Sequence, residues 1–311
     1  MLREIGSGYR SALLAHALWG LAPVFWKLLD HVPAAQLTAW RFVQTLAVMV
    51  LVQRVARGRT IRGLVASRAS VSIHVAAVAL LTINWLAFVY AVSAERIVEL
   101  SLGYFLAPLV SVLLGVGLFR ERLSRPSWLA VGLSSVGVAV LAAEAGSLPW
   151  IALAVATAFG SYGALQKASE VDAVDGLTIE MLLAAPIAAA YLAWSSITGG
   201  VVTGGAVGIG ATALIGVVTA APLLLFVRAA RSLPLWALGL LQYVGPSLQL
   251  LLGAVVFGET TSRAELVAFA VIWLGLGVFT ADRWLSPRAP RTRRYRWRSD
   301  DPRRRSRHPA R

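Results

Sequence analysis

The sequence predicts an all-α polytopic membrane protein with ten transmembrane helices arranged as two inverted five-helix repeats. Three observations carry that prediction. Of the 311 residues, 58% are hydrophobic and 14% charged, with a mean hydropathy of +0.70, a balance that a soluble globule holds only with large exposed apolar patches. The apolar residues fall into ten long segments separated by short hydrophilic gaps. Residues 88–140 match residues 226–278 without a gap at an offset of 138, with 16 identities in 53 positions.

Each segment is long enough, or nearly so, to cross a hydrocarbon core at roughly 20 residues per span. None shows the period of two expected of a β-barrel strand. The first, 9–29, carries Trp19, Pro23 and Trp26 on one helical face and ends at Lys27 and Asp30, with no small-residue cleavage site to mark a signal peptide. The second, 34–52, holds Arg41 at membrane depth with Thr38 and Gln44 on the same face. The third, 71–92, places Asn84 and Trp85 mid-span, too deep for the interfacial aromatic belt, so Asn84 needs a hydrogen-bond partner there. The fourth, 97–119, opens with Glu99 beside Arg96 and Glu95 and contains LSLGYFLAPLVSVLLG at 100–115. Its Pro108 removes one helical hydrogen bond and displaces the carbonyl of Tyr104.

The fifth and sixth segments, 127–143 and 149–166, are rich in small residues, as expected where helix backbones pack closely in lipid. The seventh, 177–196, has Thr178 and Glu180 near its start, where an interfacial position is expected. The eighth, 209–227, sets Thr219 and Pro222 where the repeat puts Asn84. The ninth, 235–256, repeats the design of the fourth, with Gln242, Pro246 and Gln249 sharing a face as Tyr104, Pro108 and Ser111 do. Helix kinks are expected at Pro108, Pro222 and Pro246. The tenth, 264–282, precedes a tail at 283–311 that contains 12 of the 29 Lys and Arg residues.

Charge orients the chain. With the N-terminus inside, the cytoplasmic side receives Arg3, Arg10, the basic run from Arg54 to Arg68, Arg120, Arg122, Arg125, Lys167, Arg228, Arg231 and the tail, leaving Arg96 and Arg263 outside. The positive-inside rule therefore places both termini in the cytoplasm of a bacterial-type inner membrane. The tail has too little apolar content to fold alone and suits attraction to anionic lipid better than nucleic-acid binding.

The repeat pairs Pro108 with Pro246, Gly115 with Gly253, Phe119 with Phe257, Glu121 with Glu259, Arg125 with Arg263 and Gly137 with Gly275. The earlier halves agree more faintly, with Trp19, Gly20 and Lys27 facing Phe159, Gly160 and Lys167. Repeats of 9–143 and 149–282 hold five spans each, an odd number, so the second copy enters the membrane upside down. Inverted repeats with broken helices near the midplane are a mark of secondary transporters. A freed carbonyl in lipid is tolerated only against protein or a water-filled cavity, which points to a central cavity beside the two prolines.

The runs ALWGLAPVFWKLLDHVPAAQLTAWR, INWLAFVYAV, ELSLGYFLAPLVSVLLGVGLFRERLS, VDGLTIEMLLAAPIA, GVVTAAPLLLFVRAARSLPLWALGLLQYVGPSLQLLLGAVVFGE and VAFAVIWLGLGVF resemble the landmarks of the RarD proteins, in the EamA group of the drug/metabolite transporter superfamily. The resemblance covers roughly residues 9–283. It implies a ten-helix inner-membrane protein with EamA-like repeats around a central substrate cavity, in a superfamily that exports amino acids, metabolites and drugs. The second span departs from the family pattern, with AWRFVQT where a His before the Arg and a Trp-Ser pair after it are expected.

The expected substrate-binding residues are Trp19, Arg41, Gln44, Asn84, Trp85, Tyr104, Thr219, Gln242, Tyr243 and Gln249. Arg41 is either the anchor of a substrate carboxylate or the partner of an acidic residue, because a charge at membrane depth needs one or the other. Trp19, Trp26, Trp85, Tyr104 and Tyr243 can form an aromatic wall. Glu99 and Glu180 are the carboxylates available for proton coupling. The chain has no Cys and four His and no GxxxxGK[ST] phosphate loop, so no metal, cofactor, enzymatic chemistry or ATP-driven step is expected. The expected function is secondary transport, in the direction of export, of small organic metabolites, amino-acid-like compounds or drugs by alternating access. The competing reading is a membrane scaffold that keeps a transporter fold but moves nothing. Oligomeric state is not legible.

Overall fold

The computed structural model describes residues 2–58, 68–94, 96–144, 150–200, 202, 205–256, 258 and 262–285. The expectations for Glu95, Phe257, Glu259 and the tail beyond residue 285 lie outside the described residues. Among the described residues all regular structure is helical. The chain forms α1 (Leu2–Trp26), a 3-10 turn (Lys27–Leu29), α2 (Ala34–Leu51) closed by a π turn (Val52–Ala56), α3 (Arg68–Ser93), α4 (Ile97–Gly117) and α5 (Arg125–Glu144). It continues with α6 (Trp150–Ala168), α7 (Ala173–Ile197), α8 (Gly205–Ser232), α9 (Leu235–Gln242), α10 (Val244–Val255) and α11 (Arg263–Leu285).

Nine segments among the described residues are long and apolar enough to cross a membrane, α9 and α10 counting as one. The sixth expected span, α6, is not among them. It carries Thr157, Ser161, Tyr162, Gln166 and Lys167 and packs against α3, α4 and α8. A helix with most of its surface against other helices needs little lipid-facing apolar surface, and in α6 that is confined to its start, at Trp150 and Leu153. The outer helices do the reverse: Leu113, Ile187 and Val255 are 70%, 77% and 79% exposed, an arrangement that water penalises and lipid accepts.

The prolines behave differently from one another. Pro246 has no N–H for the Gln242 carbonyl, and the ninth span is interrupted at Tyr243, between α9 and α10. Past Pro108 in α4 and Pro222 in α8 the helix continues without interruption. The expected kinks at those two positions are therefore not breaks, whereas the one at Pro246 is.

Helix α4 packs on α6 and α9, α5 on α11, α1 on α8 and α10, α2 on α7 and α8, and α3 on α6. Glycines bring two of these pairs close. A Cβ at Gly239 of α9 would sit 2.6 Å from the Pro108 carbonyl oxygen of α4, so the bare backbone lets α9 approach the bend-prone turn of α4. In the α5–α11 contact Gly137 faces the Ala268 carbonyl and Gly275 faces the Ala130 carbonyl, with a Cβ at 2.8 and 2.9 Å respectively. All eight residues of α9 are buried, so this short helix stands at the centre of the bundle.

Candidate functional site, a central cavity with one sealed end

Between α1, α2, α3, α4, α6, α8 and the α9–α10 break lies a cavity of about 570 Å³. It begins at the turn joining α1 to α2, where the Asp30 side chain is 73% exposed, and descends to His16, Thr219 and Gln242. Trp19, Arg41, Asn84, Trp85, Tyr104, Thr219, Gln242 and Gln249 all line it, and Pro246 with them. Residues far apart in the sequence, from Trp19 to Gln249, are thus gathered around one space because these helices converge there.

Arg41 dominates the electrostatics of that wall. Its guanidinium carbon is 3.9 Å from the Trp85 ring centroid and 5.4 Å from that of Trp26, a cation–π setting between two spans. Its Nε is buried without an acceptor. Tyr104 donates its hydroxyl proton to Asn84 Oδ1 over 3.5 Å, which leaves Asn84 Nδ2 unpartnered, as is Thr219 Oγ1. Gln242 Nε2 donates to Ser111 Oγ at 3.1 Å and Gln249 Nε2 donates to the Trp19 carbonyl at 3.2 Å.

Two expected lining residues stand elsewhere. Gln44 Oε1 accepts the Gly216 amide at 3.1 Å, a contact between α2 and α8 outside the cavity. A Cβ at Gly216 would lie 2.6 Å from the Gln44 carbonyl, so the helices touch too closely there for a cavity. Tyr243 is 1% exposed and donates to the Phe105 carbonyl at 3.3 Å. Lying at the helix break, its ring points into α4 rather than to the cavity wall.

His16 was not expected, and it lines the deepest part. Its Nδ1 lies 2.7 Å from the Ala12 carbonyl, so that nitrogen carries the proton and donates, and Nε2 of the neutral ring is left as a bare acceptor. The available signal was its place three residues before Trp19, on the face already marked by Trp19, Pro23 and Trp26. Phe159, Trp26, Thr38, Phe88, Lys27 and Asp30 also line the cavity.

Beneath the cavity a stack of rings closes the bundle. Trp19 meets Phe159 at 5.6 Å, Phe159 meets Phe226 at 5.0 Å and Phe226 meets Tyr162 at 6.1 Å. Behind the stack, Glu180 accepts from His74 Nδ1 at 2.7 Å, Tyr162 Oη at 2.9 Å and Gln166 Nε2 at 2.5 Å. Both His74 and Glu180 are fully buried. Glu180 is thus enclosed by the bundle and does not reach out to solvent. Asp172 caps α7 by accepting the Val174 amide at 3.0 Å, so the helix starts at Ala173 and carries Glu180 two turns into the bundle.

Glu99 is elsewhere, bonded to Arg96 Nε at 2.5 Å in a partly exposed i, i+3 pair. Two further ion clusters tie the sealed end. Arg57 holds Asp172 at 2.8 Å and Asp175 at 2.7 Å. Burial pushes the Asp172 carboxyl up, but the Val174 amide and Arg57 outweigh it and hold Asp172 below the ordinary carboxylate range. The Glu121 carboxylate accepts the Leu235 and Trp236 amides at 3.0 and 3.2 Å and pairs with Lys167 at 3.1 Å. It thereby fills the place of an N-cap for α9, which opens after Pro234 without a side-chain cap of its own.

The profile of the EamA-like transporter family matches residues 6–143. An "uncharacterized transporter" of Vibrio cholerae is 37% identical over 283 residues, spanning 90% of this chain and 94% of its own. Protein RarD of Escherichia coli is 36% identical over 284 residues, spanning 90% of this chain and 96% of its own. "Uncharacterized transporter YojE" of Bacillus subtilis is 36% identical over 286 residues, spanning 89% and 94%. A chain of known crystal structure superposes with a TM-score of 0.71 at 23% identity, covering 90% of this chain and 99% of that one, a likeness of fold.

Proposed function

From the premise that the chain belongs to the EamA-like transporter family, as one of its RarD-type members, we propose that it is a secondary transporter exporting small organic solutes by alternating access. The observation that carries the reading is the single-ended cavity, open toward the α1–α2 turn and closed behind by the Trp19–Phe159–Phe226–Tyr162 stack. A cavity accessible from one side, with a seal of rings and ion pairs at the other, is one of the two end states that alternating access requires.

Two inverted five-helix halves, 9–143 and 149–282, supply the moving parts of this proposal. Several contacts favour them, because residues equivalent by the repeat touch one another, as they do about a two-fold axis. Tyr243 bonds to Phe105, its counterpart at the offset of 138. Trp19 meets its counterpart Phe159. In the α5–α11 contact Gly137 and Gly275, and Ala130 and Ala268, exchange roles. The distribution of Arg and Lys favours an inner-membrane orientation with both termini in the cytoplasm, so that the cavity faces outward and the sealed end faces the cell interior.

Of the two carboxylates, Glu180 is the better situated for proton coupling. It lies behind the seal, in a network through which α3, α6 and α7 meet, while Glu99 is occupied by Arg96 at a helix end. The test of transport is comparative metabolite profiling of medium and cells producing the wild type, Gln242→Ala or Arg41→Ala at equal levels in the membrane. A compound enriched outside wild-type cells and not outside the variants supports the reading. Identical profiles across the panel and a strain lacking the protein reject export in favour of a scaffold.

A further inference from the structure

Apart from His16 Nε2, an acceptor at the deepest part, the unpartnered polar groups of the cavity can all donate. Arg41 Nε and Asn84 Nδ2 are buried donors with no acceptor, and Thr219 Oγ1 is a buried hydroxyl with no partner. Arg41 is the one lining residue at depth with a permanent charge, and no carboxylate among the described residues pairs with it. The acid that lines the cavity, Asp30, lies at the solvent-facing rim with its side chain 73% exposed. The alternative left open by the sequence, that Arg41 answers an acidic residue of its own chain, is not what the helices build.

The indoles of Trp85 and Trp26 do not complete the site. They offer π density to the cation, but an indole N–H is a donor only, so neither gives the guanidinium an in-plane acceptor. A guanidinium held in low dielectric costs free energy until an anion meets it, and a carboxylate is the group whose two oxygens fit its fork. Flat aromatic surface for the body of a ligand comes from Trp19, Phe88, Phe159 and Tyr104, while the Gln242 and Gln249 side chains of the lining already donate to Ser111 and the Trp19 carbonyl.

We infer that the cavity selects organic anions, binding a carboxylate on Arg41 with help from Asn84 Nδ2 while a planar apolar body lies against Trp85 and the neighbouring rings. The inference rests on the transporter reading of the same cavity and names the substrate class for it. It also assigns specificity. A neutral amide of the same shape brings an NH2 donor to a wall that already has donors in excess, and a cation meets a like charge.

The test uses the full chain in nanodiscs, with three probe pairs: benzoate, 3-phenylpropanoate and indole-3-acetate, each against its primary amide. Binding is read by thermal stabilisation and by isothermal titration. The carboxylates are expected to bind about ten- to a hundredfold more tightly than their amides, the range for a hydrogen-bonded charge. Arg41→Gln is expected to erase the difference, and Arg41→Lys, which keeps the charge without the fork, to retain part of it. Equal binding of acids and amides by the wild type overturns the inference without recourse to any variant, as does failure of all three carboxylates to bind. Counterflow in proteoliposomes separates this inference from the one beneath it. Carboxylate binding without exchange sinks the transporter reading and leaves the anion site standing, whereas exchange of neutral solutes that is indifferent to Arg41→Gln does the opposite.

Discussion

Glu180 accepts three hydrogen bonds from three different side chains while shielded from all solvent, and nothing in its local sequence announces this. A carboxylate so placed is stable only because every donor is aimed at it. Glu180→Gln keeps the shape but turns one acceptor into a donor that faces either His74 and Gln166 or Tyr162. The expected cost is about 1–3 kcal/mol, measured as a lower unfolding temperature of the purified protein. If Glu180 also carries the coupled proton, this variant flattens the pH dependence of flux. A wild-type pH profile in a folded Glu180→Gln protein removes it from coupling, with His74, Tyr162 and Arg231, the titratable groups around it, left to be tested next. Gln44 teaches the converse. It shares a helical face with Arg41 in the sequence, yet it is spent on the Gly216 amide, because one turn of α2 separates a cavity wall from a helix contact.

At the scale of elements, two proline-bearing spans of like sequence take different forms. The ninth breaks into α9 and α10 at Tyr243, and the fourth stays whole. The short α9 is held at both ends: the Glu121 carboxylate caps its start, and the Gln242 side chain just before the break donates to Ser111. The close approach of α9 to α4 rests on Gly239. In Gly239→Val the new side chain meets the Pro108 carbonyl where even a Cβ would lie at 2.6 Å, and the helices must part. Overpacking of this kind costs about 1–3 kcal/mol. The unfolding temperature should fall, and Tyr243 should lose its bond to Phe105, which a change in the environment of its ring in ultraviolet absorption would register. An unaltered unfolding temperature would mean that α9 is free to shift, contrary to the packing described.

For the molecule as a whole, the proposed mechanism needs the sealed end to open. Arg57 with Asp172 and Asp175, and Glu121 with Lys167 and the start of α9, join helices from the two proposed halves there. The chain has no cysteine, so Arg57→Cys/Asp172→Cys can be bridged by a cleavable bifunctional thiol reagent without side reactions. Bridging should stop flux, and cleavage should restore it, while ligand binding from the open side survives. Flux that persists in fully bridged protein is incompatible with opening between α2 and α7. Much of this architecture was legible in the sequence: the helical spans from the lengths of the apolar runs, and a cavity beside Pro246 from the loss of a backbone hydrogen bond. These are local properties, written by what each segment needs in lipid. Which polar residues face a common space was decided by tertiary structure alone. Gln44 and Tyr243 are turned away from the cavity, His16 is turned into it, and Glu180 is sealed behind it by His74 from a helix more than a hundred residues earlier. Helical periodicity assigns a residue to a face, but only the neighbouring helices determine whether that face meets a cavity, lipid or another backbone.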